Sequence, residues 1–331
     1  MSSANGIMGR QPVRVLEYNV LAWFEEKYPE FRSELEEIGR KFGTTRAIKY
    51  YCDEAPIFGR RRDPMTPYVT VDNGQITIHE TFLSYVWGLS YAFFVIFDEQ
   101  VQGSMIGIQP GHGKPLGYFL PKGYEVLNYS IGLIKKFKKW PEDLPNPDSY
   151  NSEDRHFVER TNGIYLAAVD FILCHEWAHI ACGHLTKEKE AQDRGKPITP
   201  REIKELEREA DQWALDCVSK GIRPPERSRT VVGFGAAVGL GSLLFLNRSL
   251  TSSTHPDKND RIGNVLSNLA IDERDNLWGV AATFYMIWDQ RFNGGLDFSG
   301  EFDTYKDFLQ AINGQLESKK RKTRTSRWGL D

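Results

Sequence analysis

The sequence predicts a predominantly helical α+β protein with one small antiparallel β element near residues 68–78. Three observations carry that expectation. Stretches with apolar residues three and four apart dominate the chain, two short alternating runs flank Asn73-Gly74, and 331 residues suffice for a sizeable core. Hydrophobic content of 40% beside 26% charged residues fits a folded globular chain and excludes a disordered one. A net charge of −3, from 42 basic and 45 acidic residues, gives no reason to expect specific nucleic-acid binding. Cys52, Cys174, Cys182 and Cys217 are too few for a disulfide scaffold, and two of them sit in a histidine-rich stretch as reduced helix residues. The N-terminus "MSSANGIMGRQPVRVLEYNV" lacks the apolar core of a signal peptide, so the expected location is cytoplasmic.

Taken in order, residues 13–50 show helical spacing with many charges, and "IFGRRRDPMTP" reads as a loop. In "YVTVDNGQITI" the alternating runs flank a dipeptide that accepts positive φ at both positions, which predicts a hairpin. "TFLSYVWGLSYAFFVIF" (81–97) is apolar and aromatic almost throughout. The glycine-rich "QGSMIGIQPGHGKPLGY" lacks the Lys-Ser/Thr ending of a phosphate loop and reads as a plain loop. Three prolines make "KKWPEDLPNPDSY" (138–150) a linker. The expected organisation is an N-terminal helical and loop region at 1–65, then hairpin, apolar helix and linker at 66–150. A core at 151–316 and a basic tail at 317–331 complete it.

Residues 81–97 and "VVGFGAAVGLGSLLFL" (231–246) are uncharged but short of the roughly 20 residues of a membrane span. Buried core helices are the first reading and membrane-associated segments the second. The ending "SKKRKTRTSRW" is a solubilising tail or, on the sharper reading, a patch attracted to anionic lipid or nucleic acid.

"FILCHEWAHIACGHL" (171–185) holds the chemistry. His175 and His179, four apart, share one face of a helix and can reach a single Zn²⁺. Glu176 is rotated about 100° away, so it can act as a general base on water at that site. H-E-x-x-H arises by chance in roughly one such chain in a hundred, so a third ligand is the decisive addition. In the extended histidine pattern, Cys182 stands where glycine belongs and Leu185 where the third histidine belongs, so that pattern fails. Cys182 itself reads as a packed thiol. In "REIKELEREADQWALDCV" (201–218), Glu207 is the favoured ligand and Glu209 its competitor. Asp211, one turn beyond Glu207, is placed to accept an N–H from a ligand histidine. In "STHPDKNDRI" (253–262), His255 before Pro256 is restrained toward extended conformations and suits an oxyanion contact.

The set "HEWAHIACGH", "EREAD" and "STHP" with Arg261 resembles the gluzincin and M48-type zinc peptidases. More specifically, these motifs, with "SYVWGLSYAFFVIF", "DEQ" and "WPEDLPNPDSY", resemble the Lit family of bacterial phage-exclusion peptidases (peptidase U49), over roughly residues 68 to 262. The resemblance implies a zincin-like core and zinc-dependent cleavage of an intracellular protein. In that family's best-known member the substrate is a translation elongation factor, cut when a phage polypeptide docks. It also implies a phage-encoded or other protein activator and association with the inner membrane. Carried onto this chain, the ligands are His175, His179 and Glu207, and the catalytic residues are Glu176 and His255. Asp211 and Arg261 stand behind the ligands, and His184 has a structural role at the helix end. Two alternatives stay open: a membrane-embedded M48-like quality-control peptidase, and a non-catalytic scaffold in which zinc is structural.

Overall fold

The structure, a computed structural model, describes residues 11–27, 33, 37, 48–51, 66–69, 75–102, 113–135, 138–220, 225–252, 255–269 and 271–327. Among these residues it is mostly helical, with one three-stranded sheet, so the predominantly helical α+β expectation holds.

A short 3-10 turn, Pro12–Leu16, leads into helix α1, Glu17–Lys27. Helical spacing predicts helix through residue 50, but Ile48–Tyr51 is a strand, β1. It lies parallel to β3, Ile76–His79, with Ile48 opposite Ile76 and Tyr51 opposite His79. Ile48 and Tyr50 suit a pleated, half-buried surface. A parallel partner so far along the chain, however, leaves no local pattern to read. β2, Tyr68–Val69, pairs antiparallel with β3, Tyr68 opposite Thr77 and Val69 opposite Ile76. The predicted Asn73-Gly74 turn lies outside the described residues. The expected small antiparallel element is thus part of a mixed sheet of order β1-β3-β2.

Helix α2, Glu80–Ile96, starts where His79 Nδ1 accepts the Thr81 N–H at 3.0 Å. Nearly every side chain is buried, and the helix runs on into a wider π-helical turn, Phe97–Gln102. A window of Glu80–Val101 apolar enough to cross a membrane is 94% enclosed by the protein. Helix α3, Leu120–Leu133, packs against α2. Of the glycine-rich stretch, residues 103–112 lie outside the described residues. The proline-rich segment carries no helix or strand, yet Trp140 is buried edge-on to Trp87 at 5.5 Å and Tyr129 at 4.7 Å.

Helix α4, Arg155–Ala181, is the centre of the molecule and carries the histidine stretch. It is followed by α5, His184–Asp193, and α6, Pro200–Lys220. Helix α7, Pro225–Ser242, contains most of the second apolar run, and Ala236, Ala237, Val238 and Leu240 are buried. Helices α8, Lys258–Asn268, α9, Asn276–Phe292, and α10, Tyr305–Arg327, complete the chain. α4 packs against α2, α6 and α7, and one apolar cluster extends from Val13 to Leu316. In α10, Lys320 is drawn inside: its Nζ lies 2.6 Å from Glu317 and 3.0 Å from Asp257. That residue of the basic ending is therefore enclosed; side chains from 322 onward lie outside the described residues. Cys174, Cys182 and Cys217 are free thiols.

The close approach of α4 and α7 depends on Gly235. A Cβ there would meet the Ala167 carbonyl carbon and Cβ, each at 2.5 Å, and backbone cannot swing aside. Gly235→Ala is expected to destabilise the protein by about 1–3 kcal/mol through overpacking. Gly163→Ala in α4, where a Cβ meets nothing within 4 Å, is expected to stabilise it by up to about 1 kcal/mol. Urea unfolding of both variants measures the opposite signs.

Candidate active site

Three segments bring side chains to one point. His175 and His179 come from the last two turns of α4, Glu207 and Asp211 from α6, and Arg261 from α8. His255 precedes α8. The four-residue spacing places each pair on one helical face, and packing of α6 on α4 turns those faces together. His175 Nε2 and His179 Nε2 are 3.4 Å apart. Glu207 closes the triangle, with Oε2 3.5 Å from His175 Nε2 and Oε1 3.7 Å from His179 Nε2. The ligand atoms of these three residues all lie within 4.8 Å of one another. Glu209 does not join them.

The other predicted residues gather around this triangle. His175 Nδ1 faces Asp211 Oδ1 at 3.0 Å. Arg261 grips Asp211 with two hydrogen bonds, Nε to Oδ2 at 2.7 Å and Nη2 to Oδ1 at 2.6 Å, and its Nη1 lies 3.9 Å from Glu207. His255 Nε2 is 3.6 Å from Glu207 Oε1, on a half-exposed side chain. Glu176 lines the same cavity of about 700 Å³ as His175, His179, Glu207, His255 and Arg261.

The electrostatics of these groups follow from burial and from one another. Burial alone would depress the His175 pKa, but hydrogen bonds to Asp211 and Glu207 outweigh it and raise the value from 6.5 to about 10. Burial, then the charge on His175, lowers His179 from 6.5 to about 3. Burial opposes the charged form of Glu207, yet His175 and Arg261 hold it down at about 2. Asp211 is likewise held well below the usual carboxylate range, chiefly by Arg261 against its burial. Glu176 goes the other way: burial lifts it from 4.5 to about 7, although the Val69 N–H donates to it. A carboxyl poised near neutrality can both take and return a proton.

Sequence reasoning missed several cavity residues. Tyr68 and Val69 of β2 form part of the wall, and Glu188 and Lys258 border it. Glu188 stands in a run of alternating charges that reads as a solvated face, and the place of β2 depends on the sheet docking on α4.

This arrangement of two helix-borne imidazoles, an opposing carboxylate and a partly buried acid in a cleft has the makings of a hydrolase site. Residues 76–281, more than half of the chain, match the family model described as Peptidase U49, and the chain belongs to that family. It is a peptidase. No curated protein and no solved structure gives a significant match.

Protein freed of metal with a chelator is expected to lose stability as pH rises from about 6.5 to about 8. His175 binds its proton more tightly when folded, with its pKa at about 10, than at the ordinary 6.5. Its contribution is therefore whole below pH 6.5 and is lost progressively toward pH 10. Lys258, lowered to about 8 by burial, acts oppositely only above that pH. Thermal melts at stepped pH check the decline.

Proposed function

We propose that this peptidase is a zinc-dependent endopeptidase with His175, His179 and Glu207 as the metal ligands. The observation that carries the reading is the convergence of these side chains, with the imidazole nitrogens 3.4 Å apart and the two Glu207 oxygens 3.5 and 3.7 Å from them. A tetrahedron with bonds of roughly 2.0–2.1 Å has edges of about 3.3–3.4 Å, which the separation of the two imidazole nitrogens matches, and Glu207 faces both nitrogens through its two carboxylate oxygens to supply the third donor. Two nitrogens and a carboxylate are also the donor chemistry of a catalytic rather than a purely structural zinc, which leaves the fourth corner for water. Zinc held there would polarise a scissile carbonyl and acidify a water molecule.

The chain's own groups supply the remaining steps. Glu176 takes the proton of the attacking water and returns it to the leaving amine, a task that its elevated pKa suits. His255, with its half-exposed ring facing the cleft, holds the developing oxyanion. Asp211 orients His175, and Arg261 neutralises the charge that Asp211 carries inside the protein. β2 is the outer strand of the described sheet and lines the cavity, so an extended substrate has a strand edge to add to. The resemblance to the Lit peptidases supports an intracellular protein as substrate, with a translation elongation factor the first to test. It supports a role in phage defence, triggered by a phage-encoded or other protein activator. It also supports association with the inner membrane, which for a cytoplasmic enzyme would be peripheral.

Glu176→Gln is expected to keep its zinc and lose cleavage by at least about 100-fold, the lower end of what a general base contributes. Glu207→Ala is expected to lose the metal itself, which elemental analysis of the purified protein measures. New protein N-termini in cells expressing wild type or Glu176→Gln, with and without phage, identify the substrate. Equal sets from the two proteins would leave a zinc scaffold as the better description.

A further inference from the structure

The two ligand imidazoles present Nε2 to the metal position, so their Nδ1 atoms point back into the protein. For His175 that atom faces Asp211. For His179 it faces Nδ1 of His184, at 3.0 Å. His184 has a fully buried side chain, and its other nitrogen, Nε2, lies 3.3 Å from Glu209 Oε2. Glu209 is half-exposed on α6. The chain reaches this position by a sharp reversal: α4 stops at Cys182, Gly183 adopts φ +70°, and His184 opens α5.

We propose that His184 and Glu209 form a hydrogen-bonded relay that fixes the tautomer and orientation of His179 and strengthens it as a ligand. The direction of every proton follows from the far end. A carboxylate only accepts, so His184 carries its proton on Nε2 and donates it to Glu209. Nδ1 of His184 then has a free lone pair and accepts from Nδ1–H of His179. Nε2 of His179 is thereby left bare toward the metal position. The opposite polarity would put a proton on the ligand nitrogen and close the site. Each ligand histidine would thus have its own orienting acid on α6, Asp211 directly for His175 and Glu209 through His184 for His179. Both are positioning residues that touch neither metal nor substrate.

The same cluster has a rival use. Cys182, His184 and Glu209 also have ligand atoms within 4.8 Å of one another. A second metal ion there would need the lone pair of His184 Nε2, which the relay occupies with a proton, so the two arrangements exclude each other.

The inference rests on the metallopeptidase reading, and titration of the purified full-length chain with zinc against a chromophoric chelator separates the two. Wild type should bind one zinc per chain. His184→Ala should weaken zinc binding by about 10–100-fold, the usual range for removing a partner behind a ligand, and Glu209→Gln by roughly tenfold, because its amide can also donate and no longer enforces the direction of the relay. His184→Gln, which keeps an acceptor and a donor, should recover part of the loss. The visible absorption of bound Co²⁺ should shift in His184→Ala, because ligand basicity changes; a role confined to helix packing would lower stability without moving that band. If His184→Ala fails to fold, the half-exposed Glu209→Gln decides. Wild-type affinity in Glu209→Gln, or two zinc ions in wild type falling to one in that variant, overturns the relay. No zinc in wild type overturns instead the reading beneath it.

Discussion

The buried pair of Arg261 and Asp211 is the interaction on which the site depends. Two charge-assisted hydrogen bonds of 2.6 and 2.7 Å join α8 to α6 where both side chains are shielded from water. Neither charge is tolerable there alone, since removing one partner of a buried pair leaves an uncompensated ion. The pair therefore couples the two helices, and through Asp211 it reaches His175. Because Arg261 also neighbours Glu207, one guanidinium balances two carboxylates that would otherwise repel each other across a single turn. Without it the two carboxylates would be driven toward protonation.

That electrostatic unit needs a rigid frame, which helix packing supplies. α4 is enclosed by α2, α6 and α7, and its approach to α7 is as close as glycine allows at Gly235. Aromatic rings fill the far side, where Trp87 stacks near Tyr91 and meets Trp140 edge-on. The indole N–H of Trp87 bonds to Asn162, pinning α2 to α4 ahead of the histidines. The sheet contributes less to the core, but it sets the cleft wall: β2 holds Val69 where its N–H reaches Glu176.

The last helix bears on the same place from outside the region matched by the family model. Lys320 of α10 binds Asp257 and Glu317 while almost fully buried, and Asp257 stands two residues after His255. The same ammonium lies 3.6 Å from Asp260, in the first turn of α8. α10 thereby braces the start of α8 and the loop that carries His255. A patch that reads as a loose basic ending is partly a structural clamp, and its enclosed lysine is compensated by Asp257, Asp260 and Glu317.

Helical character, the antiparallel pairing near 68–78 and the shared face of His175 and His179 are legible in the chain alone, because each follows from chain-local geometry: a period of 3.6, a period of 2, or a spacing of four. The chain-local record also marked 81–97 and 231–246 as apolar without saying what surrounds them. That α2 and most of the apolar run in α7 are enclosed by protein follows from packing alone, since burial is a property of neighbours. The tertiary structure placed Glu207 rather than Glu209 against the two imidazoles, a choice set by how α6 rotates as it packs on α4. It likewise brought β1 beside β3 in parallel and turned His184 back onto His179 through the left-handed Gly183. Contacts between residues far apart in sequence leave no periodic trace, because they arise from the docking of faces rather than from the local chain.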